Sequence, residues 1–133
     1  MPAPNPHPSL VVLRDALANL NGVATCRIGL EPNMTAADYP IIRIVPSVHR
    51  RGQQTTTDLS VLIYYGELAH AFEDGGIEAQ YDWLFEMEAK IKDAAISSGV
   101  RCLWEETVLD EDRLPGYKVF ASRFSLTHFR PSH

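Results

Sequence analysis

The chain has 133 residues, of which 45% are hydrophobic and 22% are charged, proportions that are typical of a globular domain and not of a disordered chain. Asp and Glu number 17 against 12 Lys and Arg, which gives a net charge of −5. Proteins that bind nucleic acid usually carry a basic surplus, because they neutralise phosphates, so this balance argues against a sequence-specific DNA-binding domain.

The ends of the chain and its hydropathy predict how the protein is organised. The prolines within residues 1–7 predict a flexible, Pro-rich arm, since proline neither continues a helix nor donates to a sheet. Residues 8–130 contain no dividing linker or internal repeat and are predicted to form a single α+β domain, followed by a tail over 131–133. No secretory signal or membrane span is recognisable, so we expect a soluble protein made in the cytoplasm.

A helix and a strand are predicted first in this domain. Leucines three or four residues apart, from Leu10 to Leu20, form one apolar stripe and predict an amphipathic helix over about 8–21. Gly22 favours the end of that helix, because glycine takes the left-handed conformation easily. Apolar and polar residues then alternate over 24–30, which predicts a strand with one buried face.

Two further strands are predicted, with a basic loop between them. Pro40 introduces a β-branched strand over 41–45, which Pro46 is expected to end. Residues 49–54 are predicted as the loop and 56–67 as the third strand, because apolar residues alternate over most of its length.

The two faces of the third strand differ in character. One face is apolar throughout, whereas the other changes from polar at Asp58 to apolar at Leu62 and Tyr64. This change predicts a strand that extends past its own core and meets another surface, although further packing within the same chain would give the same pattern. Asp58 and Tyr64 are therefore candidate interface residues.

The second half is predicted to form a long helix and a hairpin. Apolar residues at helical spacing predict a helix over about 77–97, ended by Gly99. Residues 100–109 and 116–129 are then predicted as two strands joined by a turn. The element order is α-β-β-β-α-β-β, and the predicted fold class is α+β, a largely antiparallel sheet with helices packed on it.

No pattern of catalytic or metal-binding residues is present in the sequence. The five histidines have no mutual spacing typical of zinc ligands, and phosphate-binding loops and nucleophile motifs are absent. Cys26 and Cys102 are far apart and lie on the apolar side of predicted strands, so buried, reduced thiols are expected. We therefore predict a protein that is not an enzyme and uses no metal or cofactor. Catalytic groups that converge from distant segments form no sequence motif, so a small enzyme remains an alternative.

One basic cluster is present, formed by His49, Arg50 and Arg51 on the predicted loop. A solvated loop is one interpretation of this cluster. A contact between subunits, or a transient contact with passing DNA, is the functional alternative.

An acidic cluster and a tryptophan complete the candidate interface. Asp110, Glu111 and Asp112 lie at the predicted hairpin turn, where they form either a solvated turn or a contact for a basic partner. Trp83, on the helix flank opposite the main stripe, and Trp104, on a strand, are interpreted as packing residues more than as ligand platforms. Since tryptophan is also common at protein interfaces, Trp83 is the preferred exposed anchor if one exists.

Four segments of the chain carry a family resemblance, namely LVVLRDAL at 10–17, YPIIRI at 39–44, DLSVLIYY at 58–65 and GYKVFASRF at 116–124. With the succession of elements, they resemble the tail terminator (tail completion) proteins of long-tailed bacteriophages. The resemblance covers residues 8–130 as a pattern of elements without a sharp motif.

The resemblance implies an assembly role in the tail and neck of a virion. Proteins of this family form homohexameric rings that cap the finished tail tube, stop its growth and dock it to the head, without enzymatic activity or a cofactor. The implied partners are further copies of the chain, the tail tube protein and a neck or head-completion protein, with DNA passing through the ring. The loop over 48–57 and the strand over 56–67 are candidates for contacts between subunits.

Other functions are compatible with the same pattern of elements. A different neck or head-completion protein shares the size and the ring geometry. A ferredoxin-like regulatory domain that binds a small ligand also layers helices on an antiparallel sheet. A small enzyme with a site that the sequence hides is the third alternative.

Overall fold

The computed structural model describes residues 5–31, 33–52, 56–68, 76–109 and 117–129. Within these ranges the chain forms two α-helices, five strands and a short 3-10 helix at Ala36–Asp38. The elements in chain order are α1 (His7–Ala18), β1 (Thr25–Ile28), β2 (Ile41–Arg51), β3 (Thr56–Leu68), α2 (Gly76–Ser97), β4 (Cys102–Val108) and β5 (Tyr117–Phe129).

The five strands form one sheet in the order β1-β2-β3-β5-β4. All neighbouring pairs are antiparallel except β1 and β2, which are parallel. The chain must therefore cross from one end of β1 to the opposite end of β2, which it does through residues 29–40. The predicted α+β class and element order are confirmed, with one parallel pair in a largely antiparallel sheet.

The main core lies between one face of the sheet and the two helices. The predicted leucine stripe of α1 is confirmed, because Leu10, Leu13 and Leu17 are buried. α2 contributes its own buried stripe, and β3 and β5 contribute the side chains beneath it. The buried residues from these three elements are Leu84, Met87, Ile91, Ala95, Leu59, Val61, Ile63, Tyr65, Phe120, Phe124 and Leu126.

The described helices end near the predicted positions. α1 ends at Ala18, three residues earlier than expected, and the N–H of Leu20 donates to Leu17 O at 3.2 Å. α2 ends at Ser97, and Gly99 has the positive φ of 87° that a helix C-terminus favours. Neither α-helix in the described ranges is both long and apolar enough to cross a membrane.

The prediction that Pro46 ends the second strand is wrong. β2 continues to Arg51, and Ser47 is an extra residue between the Pro46–Val61 and Val48–Ser60 pairs, which is a β-bulge. β1 pairs only with the first four residues of β2, so beyond Ile44 that side of β2 has no partner strand among the described residues. Proline is tolerated there, because its missing N–H would face an open edge.

A smaller cluster lies on the opposite face of the sheet. Tyr64, Val119 and Ala121 are buried there, with Val45 and Leu62 packed against them. The predicted change of character along β3 is therefore present. However, Tyr64 is only 3% exposed, so its prediction as an accessible interface residue is wrong, because its own chain already covers it.

Arg43, on the same face, is fully buried and fixes the crossing segment to the sheet. Its Nε donates to Glu31 Oε2 at 2.9 Å, and its Nη2 donates to Thr25 Oγ1 at 2.9 Å. Nη1 donates to the backbone oxygens of Thr25 and Ile42 at 3.0 and 2.8 Å. A buried guanidinium is stable only with such partners, so Glu31 and Thr25 determine whether Arg43 can be accommodated.

The ion pair of Glu31 with Arg43 predicts a pH dependence of stability. Burial raises the pKa of Glu31, but the hydrogen bond and charge of Arg43 outweigh it, so the pKa lies below its ordinary value of 4.5. A carboxyl with a depressed pKa stabilises the fold above 4.5, and this contribution is lost as the pH falls through the folded-state pKa. Glu31→Gln should therefore lower the free energy of unfolding at pH 7 and flatten its decline below pH 4.5, as measured by urea unfolding.

Asp15→Asn is the matched control for this prediction. Asp15 pairs with Arg14 at 3.0 Å on the surface, and its side chain is 66% exposed. Exposed pairs contribute at most about 1 kcal/mol, so this variant should follow the parent closely. An unchanged pH profile in Glu31→Gln would contradict the assigned role of the carboxylate.

Candidate functional site

The three residues of the basic cluster lie on a strand and not on a loop. His49, Arg50 and Arg51 are the last residues of β2, and all three are exposed. Arg50 lies opposite Asp58 of β3, whose Oδ1 accepts a hydrogen bond from Thr127 Oγ1 at 3.1 Å. Neither arginine forms an ion pair with another residue of the described ranges, so both guanidinium groups are available to an external carboxylate.

The remaining predicted interface residues are not gathered with this cluster. Trp83 is half-buried and packs against the main core, so its prediction as an exposed anchor is wrong. The helical phase places it at the edge of the apolar stripe instead of opposite it. Asp110, Glu111 and Asp112 lie outside the described residues.

The edge strand β4 has side chains exposed on both of its faces. Four consecutive residues from Leu103 to Glu106 are exposed. Leu103 is 68% exposed, and Trp104 and Val108 are 39% and 45% exposed. Exposed apolar side chains that lie next to one another are typical of interaction surfaces. Burying them against a partner removes their apolar area from water, which is favourable.

The C-terminal half of α2 extends this apolar surface. Ile96 is 72% exposed and lies beside β4, and together they form a groove of about 290 Å³. Lys92 supplies a positive charge at the groove, and its Nζ lies 3.5 Å from the ring centroid of Trp104. The groove is lined by Lys92, Ile96, Cys102, Leu103, Trp104 and Phe124.

A chain of hydrogen bonds fixes Trp104 to the core. Its Nε1 donates to Thr107 Oγ1 at 3.0 Å, that hydroxyl is 2.8 Å from Ser122 Oγ, and Ser122 Oγ is 2.9 Å from the Tyr65 hydroxyl. Burial raises the pKa of Tyr65, so the phenol at the buried end stays protonated. An exposed tryptophan that is already held in place loses little conformational entropy on binding, which favours its use as an interface anchor.

A bulge in β4 makes this hydrogen-bond chain possible. Glu105 is the extra residue between the Trp104–Phe124 and Glu106–Arg123 pairs, so Thr107 returns to the face of Trp104. Bulges and charged side chains also keep edge strands from pairing indiscriminately. With Glu105 and Glu106 exposed, the edge suits a partner that brings basic groups.

No group of three His, Cys, Asp or Glu side chains among the described residues is placed to hold a metal ion. Cys26 and Cys102 are free thiols, half-buried and not fully buried as predicted. Cys26 Sγ lies 3.6 Å from Arg14 O and Cys102 Sγ lies 3.6 Å from Ala95 O, both structural contacts to backbone.

The sequence reasoning missed the apolar residues of this surface, namely Ile96, Leu103 and Val108. A usable signal was present at Leu103 and Trp104. Two adjacent apolar residues on a strand point to opposite faces, so an edge strand cannot bury both. Ile96 offered no such signal, because its exposure depends on where α2 meets the end of the sheet.

Neither a known protein family nor a curated protein matches this chain.

Both cysteines are expected to react slowly with thiol reagents in the folded protein. Burial raises the pKa of Cys26 to about 11, outweighing the nearby charges of Arg43 and Arg14, and burial also raises the pKa of Cys102. Because the thiolate is the reactive form, alkylation by iodoacetamide at pH 7.5 should be slow and should accelerate as the pH approaches 11. Mass spectrometry follows the reaction, with urea-unfolded protein as the fast control. Equal rates in the folded and unfolded protein would contradict this expectation.

Proposed function

We propose that this chain is a structural subunit of a long-tailed bacteriophage, a tail terminator that forms a homohexameric ring. The ring caps the tail tube, stops its growth and provides the surface that docks the tail to a neck or head-completion protein. The observation that carries the proposal is the exposed apolar surface of Leu103, Trp104 and Ile96 along an open sheet edge. Subunit interfaces bury surfaces of this kind, with tryptophan enriched at their centres.

The resemblance in element order supports the same assignment. Helix, three strands, long helix and hairpin follow one another in the described ranges as they do in the terminator pattern. The resemblance supplies the ring and the partners, and the exposed edge supplies a surface by which copies can associate. A net charge of −5 is compatible with a lumen that repels DNA and lets it slide through.

The groove beside Trp104 is the observation that favours the alternative of a small-ligand-binding domain. Its volume of about 290 Å³ lies at the lower end for ligand pockets, which span about 300–1,000 Å³. Its lining is nearly all apolar, and its cation, Lys92, already lies over Trp104. Such a groove has few polar groups to orient a metabolite, so it fits a protein side chain better than a small polar ligand.

Self-association of the purified full-length chain is the first test. Light scattering should give a particle of about six times the 14.9 kDa subunit mass, either at once or with rising concentration. Negative-stain electron microscopy should show rings. A strict monomer at every concentration, with a melting temperature that rises on adding a metabolite, would instead favour the ligand-binding domain.

Tail tube assembly tests the specific role. Added to polymerising tail tube protein, the chain should bind tube ends and shorten the tubes, because a capped end accepts no further subunits.

Arg50→Glu with Arg51→Glu should keep the fold, since both side chains are exposed, but weaken ring formation or docking. Rings that bind a head connector but leave tube length unchanged would favour another neck protein.

A further inference from the structure

We infer that neighbouring copies in the ring pair strand to strand, with β4 of one subunit lying antiparallel to the free stretch of β2, residues 46–51, in the next. This inference rests on the proposed ring and adds to it the contacting surfaces and their register. The two contacting surfaces are opposite edges of the same sheet.

Each side of the sheet has a stretch of strand without a neighbouring strand among the described residues. In the order β1-β2-β3-β5-β4, β4 is the last strand on one side. On the other side β1 pairs only with residues 41–44, which leaves 46–51 of β2 as the edge. The burial pattern agrees, since every residue of β2 from Pro46 to Arg51 is exposed.

The strand directions fit a repeated contact. β2 is antiparallel to β3, β3 to β5 and β5 to β4, so β2 and β4 run in opposite directions. Copies placed side by side in one orientation therefore bring β4 and β2 together as an antiparallel pair. The contact joins two different surfaces, so it is heterologous, and it gives a closed ring when the rotation between copies is one sixth of a turn without a shift along the axis.

One register matches the side chains of both edges. Val48 and Arg50 lie on the sheet face away from the helices, opposite Ser60 and Asp58, and Glu106 and Val108 of β4 lie on that same face. An antiparallel pairing that sets Arg50 across from Glu106 also sets Val48 across from Val108. A shift of two residues would place an apolar valine against a charge, either Val48 against Glu106 or Arg50 against Val108.

The four side chains are available for this pairing. Val48 and Val108 are each 45% exposed, and Arg50 has no ion pair within the described ranges. Glu106 is paired with Arg123 of its own chain at a long 3.8 Å, and its side chain is 58% exposed. Opposite charges and β-branched pairs directly across an antiparallel ladder are both stabilising.

A designed disulfide tests the register in the full-length protein. Val48→Cys with Val108→Cys should give, on mild oxidation, a ladder of covalent oligomers up to the hexamer on a non-reducing gel, and reduction should abolish it. Cysteines bridge only when their Cα atoms are about 4.4–6.8 Å apart, so the yield should exceed that of a mismatched pair by roughly tenfold. The matched control is Val12→Cys with Val108→Cys, because Val12 is 46% exposed but lies on α1. The unaltered chain controls for Cys26 and Cys102.

Charge reversal tests the same pairing without new cysteines. Arg50→Glu and Glu106→Arg should each abolish rings when purified alone, because every contact then opposes like charges. An equimolar mixture should restore rings of alternating copies, since each contact regains one acid and one base. Circular dichroism checks that each variant folds.

The outcomes separate this inference from the proposed function. Cross-linking at Val48 and Val108 together with rescue in the mixture supports the pairing. Rings of the unaltered chain that persist in Arg50→Glu, without the cross-link, overturn the pairing and leave the ring intact. An unaltered chain that stays monomeric overturns both.

Discussion

The pairing of β3 with β5 is the constraint on which the rest of the structure depends. Both strands have 13 residues and stay in register from Thr56–Phe129 to Leu68–Tyr117. Their side chains supply the centre of the core beneath the helices, including Ile63, Tyr65 and Phe120, and on the opposite face they supply the smaller cluster around Tyr64. Because both strands are flanked by further strands, the open edges of the sheet lie at β1, at β4 and along the stretch of β2 beyond β1.

Two of the three arginines of β2, Arg43 and Arg50, show that position along the strand decides whether a charge is used within the fold or is exposed. Arg43 is fully buried and bonded to Glu31, Thr25 and Ile42, so its charge is used within the fold. Arg50 lies on the same face of the same strand, beyond the end of β1, where it is exposed. Residue type alone does not separate these roles. The length of the neighbouring strand does.

Much of the fold followed from periodicity, since the stripe from Leu10 to Leu17 and the alternation of β3 depend on local sequence and on burial of one face. The end of β2 was predicted wrongly at Pro46, because the effect of a proline depends on whether another strand pairs on the side to which its N–H would point. Tyr64 was misread because alternation reports that a face is apolar but not what covers it. Trp83 is more buried and Trp104 more exposed than expected, because Trp83 lies at the edge of the apolar stripe of α2 and Trp104 lies on an edge strand.

The extra residue in β2 has a consequence for how such an edge can change. Before Ser47, odd-numbered residues share the face of Arg43, and after it even-numbered residues do. Loss of Ser47 would restore regular pairing, with Val48 still opposite Ser60 and Arg50 still opposite Asp58. The bulge therefore marks a position at which β2 tolerates a change in length of one residue, with Arg50 kept on the outer face and Ile42 and Ile44 kept in the core.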